Sequence, residues 1–216
     1  MLHTEYKIRE WISACAKCRS FHGPIRVFCK ECWSALFDLK NSPCDLKQVN
    51  YPFKVYSLFT WYDEYDKFIR PLVYSLKGGL IYEPWEWLAN WFLFARQLEE
   101  SSEDLVLITP PQKTRRDHAL LWAQAFSCHL LAPILSCLEE GVSTGKQKSL
   151  TRLGRFSREY LLKGDFSIES FQNKKVVLVD DTITSGGTAQ AVFLALGEPS
   201  SFEVWTLASR PRHGTY

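Results

Sequence analysis

The pattern of apolar and polar positions divides the chain into two parts that meet near Tyr51. Residues 1–50 are dense in Cys, Lys, Arg and turn formers and contain no long amphipathic period. Pro52 biases the residue before it toward extended structure, and the β-forming run FKVYSLFTWY predicts a strand over 53–62. We therefore expect a small module over 1–50 and a larger domain over 51–216.

Two amphipathic helices are predicted to follow this strand. The first starts near residue 63 and ends at Gly78-Gly79, with an apolar face of Phe68, Ile69, Leu72, Val73 and Leu76. The second has Pro84 in its first turn, and its apolar side chains recur at helical spacing: Trp85, Leu88, Trp91, Phe92 and Ala95. These aromatic side chains favour core packing or a contact between subunits of a homo-oligomer over base stacking.

From residue 104 onward the pattern alternates between strands and helices. Apolar runs predict strands over 105–109, 176–179 and 202–207, helical periods predict helices over 117–131 and 188–196, and a polar stretch covers 141–163. Continuous apolar strands that alternate with helices are typical of a mainly parallel sheet with helices on both faces. The expected fold class is therefore α/β.

Composition narrows the class of protein without identifying it. Of the 216 residues, 46% are apolar and 23% are charged, with a formal net charge of +2, as in a soluble globular protein. The chain does not open on a positively flanked apolar run, and it has no run of about 18 apolar residues, so neither a secretory signal nor a membrane span is expected. We expect a cytoplasmic protein. Residues 1–50 hold eight Lys/Arg and five Asp/Glu, which permits contact with nucleic acid but does not establish it.

Four of the seven cysteines form two Cys-x-x-Cys pairs, Cys15/Cys18 and Cys29/Cys32. In a chain without a secretory signal, such pairs indicate metal binding more than disulfides. Four thiolates satisfy a tetrahedral Zn²⁺ and close a structural site, and so small a module needs the metal for much of its folding energy. Cys44 and His22 are possible substitute ligands.

The segment VVLVDDTITSGGT, residues 176–188, carries the strongest chemical signal. A buried strand places Asp180 and Asp181 at the carboxyl edge of the sheet, where open α/β folds bind ligands. Gly186 and Gly187 permit close backbone approach at a helix start, which suits a phosphate, and hydroxyls are contributed by Thr182, Thr184, Ser185 and Thr188. The two carboxylates suit a ribose diol, directly or through a hydrated Mg²⁺.

This segment resembles the phosphoribosyl-pyrophosphate (PRPP) signature of type I phosphoribosyltransferases. The paired cysteines, the segment Ser75-Leu76-Lys77-Gly78-Gly79, the strand and loop ending at Pro110-Pro111 and the region from Gln147 to Arg155 extend the resemblance to the ComF family (competence protein F). The resemblance implies a type I phosphoribosyltransferase-like sheet preceded by a four-cysteine zinc module. It also implies that the acidic pair holds the ribose hydroxyls and the glycine loop holds the 5′-phosphate.

Basic residues are the candidates for the pyrophosphate side. Lys113, Arg115 and Arg116 follow the strand over 105–109 and can bind phosphate oxygens, and the resemblance adds Pro110 and Lys77. By the same resemblance, 146–163 is a flap that contributes Lys146 and Arg155, grouped with Asp180 and Asp181 as catalytic candidates. The chain departs from the family pattern at Thr109-Pro110-Pro111, at 115–118 and near Arg158, which leaves catalysis less supported than PRPP binding.

Two functions remain open at this point. The resemblance implies a PRPP-binding protein that acts in DNA uptake during natural transformation, handling incoming single-stranded DNA together with competence proteins. The alternative is an active phosphoribosyltransferase with an unidentified acceptor, in which Mg²⁺-PRPP loses pyrophosphate through an oxocarbenium-like state. The sequence does not decide whether the protein is an enzyme.

Overall fold

The computed structural model describes residues 13–15, 17–18, 21–22, 28–40, 51–62, 65–78, 82–97, 104–111, 118–141 and 159–210. The strands are β1 (Ser13–Ala14), β2 (Phe21–His22), β3 (Lys54–Thr60), β4 (Leu105–Ile108), β5 (Ile134–Leu135), β6 (Leu138–Glu140), β7 (Tyr160–Leu162), β8 (Lys175–Ile183) and β9 (Ser201–Ser209). The helices are α1 (Lys30–Lys40), α2 (Asp66–Gly78), α3 (Glu83–Arg96), α4 (His118–Leu130), α5 (Glu169–Gln172) and α6 (Gly187–Ala195).

A five-stranded sheet in the order β3-β9-β8-β4-β5 organises the larger part of the chain. Its strand pairs are parallel throughout the described residues. At the centre, Val176 of β8 lies opposite Phe202 of β9 and opposite Val106 of β4. Two short antiparallel pairs, β1 with β2 and β6 with β7, lie outside this sheet. The predicted α/β class, with a mostly parallel sheet, is confirmed.

Both faces of the sheet are buried, because successive strand side chains point to opposite sides. Val177 and Val179 of β8 join the apolar face of α2, the aromatic residues of α3 and α4, and the buried cysteines in one hydrophobic cluster. Val176 and Leu178 join α5, α6 and the β6–β7 pair in a second cluster. The sheet therefore separates two hydrophobic cores, one on each face, and its carboxyl edge borders both of them.

Several elements differ from the sequence prediction. The strand predicted over 176–179 continues to Ile183, because β9 pairs with it as far as Ser209 opposite Ile183. Residues 1–50 have no long amphipathic period, yet they contain the 11-residue helix α1. The polar stretch over 141–163 ends in strand β7, whose Tyr160 is buried against the second cluster. Short strands and helices of this kind are fixed by tertiary pairing more than by local pattern.

The helices within the described residues include none with the length and apolar character needed to cross a membrane.

Candidate functional site

The two neighbouring carboxylates lie in the last part of β8 and not in the loop after it. Asp180 lies opposite Thr206 of β9, and Thr182 lies opposite Ala208. Because side chains alternate along a strand, Asp180 and Thr182 share one face of the sheet, whereas Asp181 points to the other. The structure therefore places the acidic pair on two sides of the strand end.

A small cavity lies at this strand end, on the face where Asp180 lies. Its volume is about 50 Å³, several times the roughly 10–15 Å³ that one water needs, so it admits a small ionic group. Its lining combines apolar and polar residues: Leu178, Asp180, Thr182, Ile183, Thr184, Ser185, Gly186, Gly187, Thr188, Ala189, Val204 and Thr206. Six residues predicted to bind phosphate thus surround one cavity with Asp180, and Asp181 is not in its lining.

The rim of the cavity includes the start of α6. Gly186 is the residue before the helix and has φ 71° and ψ 2°, in the left-handed region, which glycine adopts without steric cost. Its carbonyl oxygen accepts the hydrogen bond from the backbone N–H of Gln190 at 2.8 Å. Gly186 has no side chain with which to cap the helix, and uncapped N–H groups at a helix start can bind an anion.

Two threonines on the cavity wall have different hydrogen-bonding states. The Thr206 hydroxyl lies 2.8 Å from the Ser57 hydroxyl of β3, and both side chains are buried. The Thr182 Oγ1 is also buried, and within the described residues it has no hydrogen-bond partner. Leaving a buried hydroxyl without a partner costs about 1–3 kcal/mol. Thr182 therefore offers an unmet hydrogen-bonding group beside Asp180.

Asp181 pairs with Lys77 on the opposite face. The Lys77 ammonium, in the last turn of α2, forms an ion pair with Asp181 Oδ2. The contact is ionic and lacks hydrogen-bond geometry, because Oδ2 has no hydrogen-bond partner among the described residues. The Asp181 side chain is only 13% exposed, and that of Lys77 is 36% exposed. The structure therefore brings Lys77 to the acidic strand end, bound to the protein's own carboxylate.

The carboxyl group of Asp180 has an altered acidity. Burial raises its pKa, and the negative charge of Asp181 raises it further, to about 8. The backbone N–H of Asp181 donates a 2.8 Å hydrogen bond to Asp180 Oδ1, and this bond and the Lys77 charge act in the opposite direction, lowering the pKa. A cation or a hydrogen-bond donor in the cavity would favour the ionised form.

The four predicted metal-ligand cysteines come together in the N-terminal part of the chain. The Sγ atoms of Cys15, Cys18, Cys29 and Cys32 all lie within 4.8 Å of one another, and Cys18 Sγ and Cys29 Sγ are 3.7 Å apart. A tetrahedron with metal–sulfur bonds of about 2.3 Å has edges of about 3.8 Å. None of the four is in a disulfide. The group can therefore hold a structural metal ion with little rearrangement.

Aromatic contacts join the four-cysteine group to the helices of the larger part. The rings of Trp33 and Trp87 are 4.8 Å apart, and those of Trp87 and Trp91 are 5.4 Å apart. The Lys17 ammonium lies 3.6 Å from the centroid of the Phe68 ring, within cation–π range. Cys15, Cys29 and Cys32 themselves belong to the first hydrophobic cluster. The cysteine group thus shares a core with α2 and α3.

Other predicted site residues lie beyond this assembly. Pro110 follows β4, the neighbour of β8, and so lies at the same carboxyl edge of the sheet. Lys113, Arg115, Arg116, Lys146 and Arg155 fall outside the described residues, as does the possible substitute ligand Cys44.

Sequence reasoning missed two residues that shape the cavity. Thr206 lies inside an apolar strand, and only its pairing with Asp180 brings it to the site. Tyr51 lies against Gly186: a Cβ atom added to that glycine would be 2.6 Å from Tyr51 Cζ and closer still to Cε1. The only local signal is the Tyr51-Pro52 step, which predicts a boundary.

Comparison with known proteins adds no identification. No protein-family model matches the chain, and no curated protein matches it significantly.

Proposed function

We propose that the protein binds a phosphorylated pentose, with PRPP as the first candidate, in the cavity at the end of β8. The 5′-phosphate would accept hydrogen bonds from the N–H groups at the start of α6 and from the hydroxyls of Thr184, Ser185 and Thr188. Asp180 would accept hydrogen bonds from the ribose hydroxyls. The pyrophosphate group would extend along the carboxyl edge of the sheet toward β4 and the basic residues that follow Pro110.

One observation carries this proposal: the cavity combines a phosphate-type turn with sugar-type acceptors. An anion alone would not explain Asp180, because the ionised form of its carboxyl group would repel an anion. A sugar alone would not explain the left-handed Gly186 turn at a helix start. The unpartnered hydroxyl of Thr182 and the raised pKa of Asp180 both point to a polar ligand that completes the site.

Magnesium would enter this site with the ligand, and zinc would occupy the cysteine group. Mg²⁺ bound to PRPP would neutralise pyrophosphate charge, and the oxygen ligands it prefers include carboxylates such as Asp180. For the cysteine group, four sulfur ligands at tetrahedral spacing favour Zn²⁺ over hard cations, which prefer oxygen. That zinc would be structural, because all four protein ligands are supplied and no position is left for a substrate.

The proposal concerns the binding of PRPP. Catalytic turnover of PRPP stays a prediction that the resemblance implies. Pyrophosphate release requires cationic groups that stabilise the negative charge on the departing pyrophosphate. The candidate residues lie in 112–117 and 142–158, outside the described residues. The role in DNA uptake implied by the resemblance to the ComF family likewise stays a prediction.

Calorimetry with PRPP, with and without Mg²⁺, tests the proposal. Asp180→Asn should weaken binding about 10- to 100-fold, the equivalent of a charge-assisted hydrogen bond. Asp165→Asn is the matched control, because it removes the same charge from an exposed position outside the cavity and should bind within about twofold of the wild type. Absence of PRPP binding by the wild-type protein would refute the proposal.

A further inference from the structure

Residues 51–53, which lead into β3, lie beside the helix start that borders the cavity. Tyr51 and Phe53 precede β3, and their rings stack at 5.2 Å with an interplanar angle of 8°. Phe53 is in turn fixed by Phe193 of α6 at 5.4 Å and by Phe202 of β9 at 5.2 Å. The Tyr51 ring is therefore held from below by an aromatic stack that belongs to the second core.

The edge of that ring that carries Cε1 and Cζ lies against the backbone of Gly186. The distance of 2.6 Å from Tyr51 Cζ to an added Cβ is well below the 3.0 Å that real Cβ atoms observe, so the ring fills the space where any side chain would lie. Gly186 is buried although it lies at the cavity rim. The ring thus forms a wall on one side of the left-handed turn, and the cavity lies on the other.

We propose that Tyr51 is a positioning residue that holds the Gly186 turn in the conformation required for phosphate binding. This inference rests on the proposed function. Tyr51 is not in the cavity lining, so it acts through Gly186 and not by touching the ligand. A turn with a left-handed glycine has many accessible conformations, and the wall restricts them before the ligand arrives. Preorganisation of this kind raises affinity by reducing the ordering cost of binding.

Three variants separate positioning from simple structural support. Tyr51→Ala removes the wall, Tyr51→Phe keeps it, and Phe171→Leu makes a change elsewhere in the second core, in α5, while leaving the stack of Tyr51 on Phe53 in place. Calorimetry with ribose 5-phosphate, well below each melting temperature, measures the effect on the site. We expect Tyr51→Ala to lose about tenfold in affinity, Tyr51→Phe to restore it to within about twofold of the wild type, and Phe171→Leu to lower thermal stability with little change in affinity.

Amide hydrogen exchange over 185–188, measured without ligand, keeps the inference testable if the proposed function fails. Tyr51→Ala should speed exchange there more than Phe171→Leu does, because only the former releases the turn. Failure of the wild-type protein to bind any phosphate ester would refute the proposed function, and the exchange comparison would still decide the role of Tyr51 in holding the turn. Unchanged exchange in Tyr51→Ala, or equal losses of affinity in Tyr51→Ala and Phe171→Leu, would overturn the inference.

Discussion

Replacement of Gly186 by alanine should destabilise the protein through two separate effects. The residue has φ 71°, and an L-residue with a side chain in the left-handed region costs about 1–2 kcal/mol. The new Cβ would also lie 2.6 Å from Tyr51 Cζ, and relieving such overpacking typically costs about 1–3 kcal/mol. The Tyr51 ring cannot move freely, because it stacks on Phe53. The expected loss of unfolding free energy is therefore about 2–5 kcal/mol.

Thermal and urea unfolding measure this loss, with Gly164→Ala as the matched control. For a protein of this size about 1 kcal/mol shifts the melting temperature by roughly 2–4 °C, so Gly186→Ala should melt about 4–20 °C below the wild type. At Gly164 no atom lies within 4 Å of an added Cβ, and its φ is outside the left-handed region, so alanine there should be neutral or stabilising by up to about 1 kcal/mol. If the two variants melt together, the argument from the turn is wrong.

A double-mutant cycle divides the two effects. In a Tyr51→Ala background the clash is absent, and Gly186→Ala should then cost only the backbone part of about 1–2 kcal/mol. The difference between the two backgrounds is the coupling between ring and turn. A coupling near zero would mean that the ring moves aside at no cost, and it would also contradict the positioning role of Tyr51.

Three further predictions concern the cysteine group, Asp180 and Lys77. Cys29→Ser should lose the zinc detected by elemental analysis, whereas Cys128→Ser, at an exposed thiol outside the cluster, should retain it. The unfolding free energy should fall as pH rises from about 4 to about 8. Burial and the charge of Asp181 raise the pKa of Asp180 from 3.8 to about 8, so in this pH range the native state holds a proton that the unfolded chain has released. Asp180→Asn should flatten this dependence of the unfolding free energy on pH, as measured by urea titrations. Lys77→Met should lower the unfolding free energy, measured in urea, by about 1–2 kcal/mol, less than loss of a partner in a fully buried pair would, because Lys77 is 36% exposed. Adding Asp181→Asn should recover most of the lost unfolding free energy. Retained zinc in Cys29→Ser, an unchanged slope in Asp180→Asn or a neutral Lys77→Met would each contradict the corresponding argument.

The sequence predicted the elements whose own residues determine them. The apolar run over 176–179 and the helical period over 188–196 have one interpretation each, and both elements are present within one residue of their predicted starts. The four cysteines are a second such case, since two Cys-x-x-Cys pairs restrict each other and their sulfur atoms converge. In both cases the information lies within a few residues along the chain.

What the sequence did not predict depends on long-range contacts. No local pattern shows that β8 continues past Asp180, because the continuation is fixed by pairing with β9. The position of Lys77 beside Asp181 joins residues more than a hundred positions apart, and only the resemblance had assigned Lys77 to the site. The Tyr51-Pro52 step predicts only a boundary, since the contact of Tyr51 with Gly186 joins residues that are far apart in the sequence.

The separation of the two carboxylates explains why adjacent acidic residues can serve different purposes. Asp181 is bound to Lys77 of α2 and packs on the first core, while Asp180 faces the cavity beside α6 and the second core. The negative charge of Asp181 raises the pKa of Asp180, and the nearby positive charge of Lys77 limits that rise. A ligand that ionises Asp180 must therefore displace a proton near neutral pH. Binding should release that proton, and the observed enthalpy should then vary with the ionisation enthalpy of the buffer. An enthalpy independent of the buffer at pH 7 would show that Asp180 is already ionised, and that Lys77 neutralises both carboxylates and not Asp181 alone.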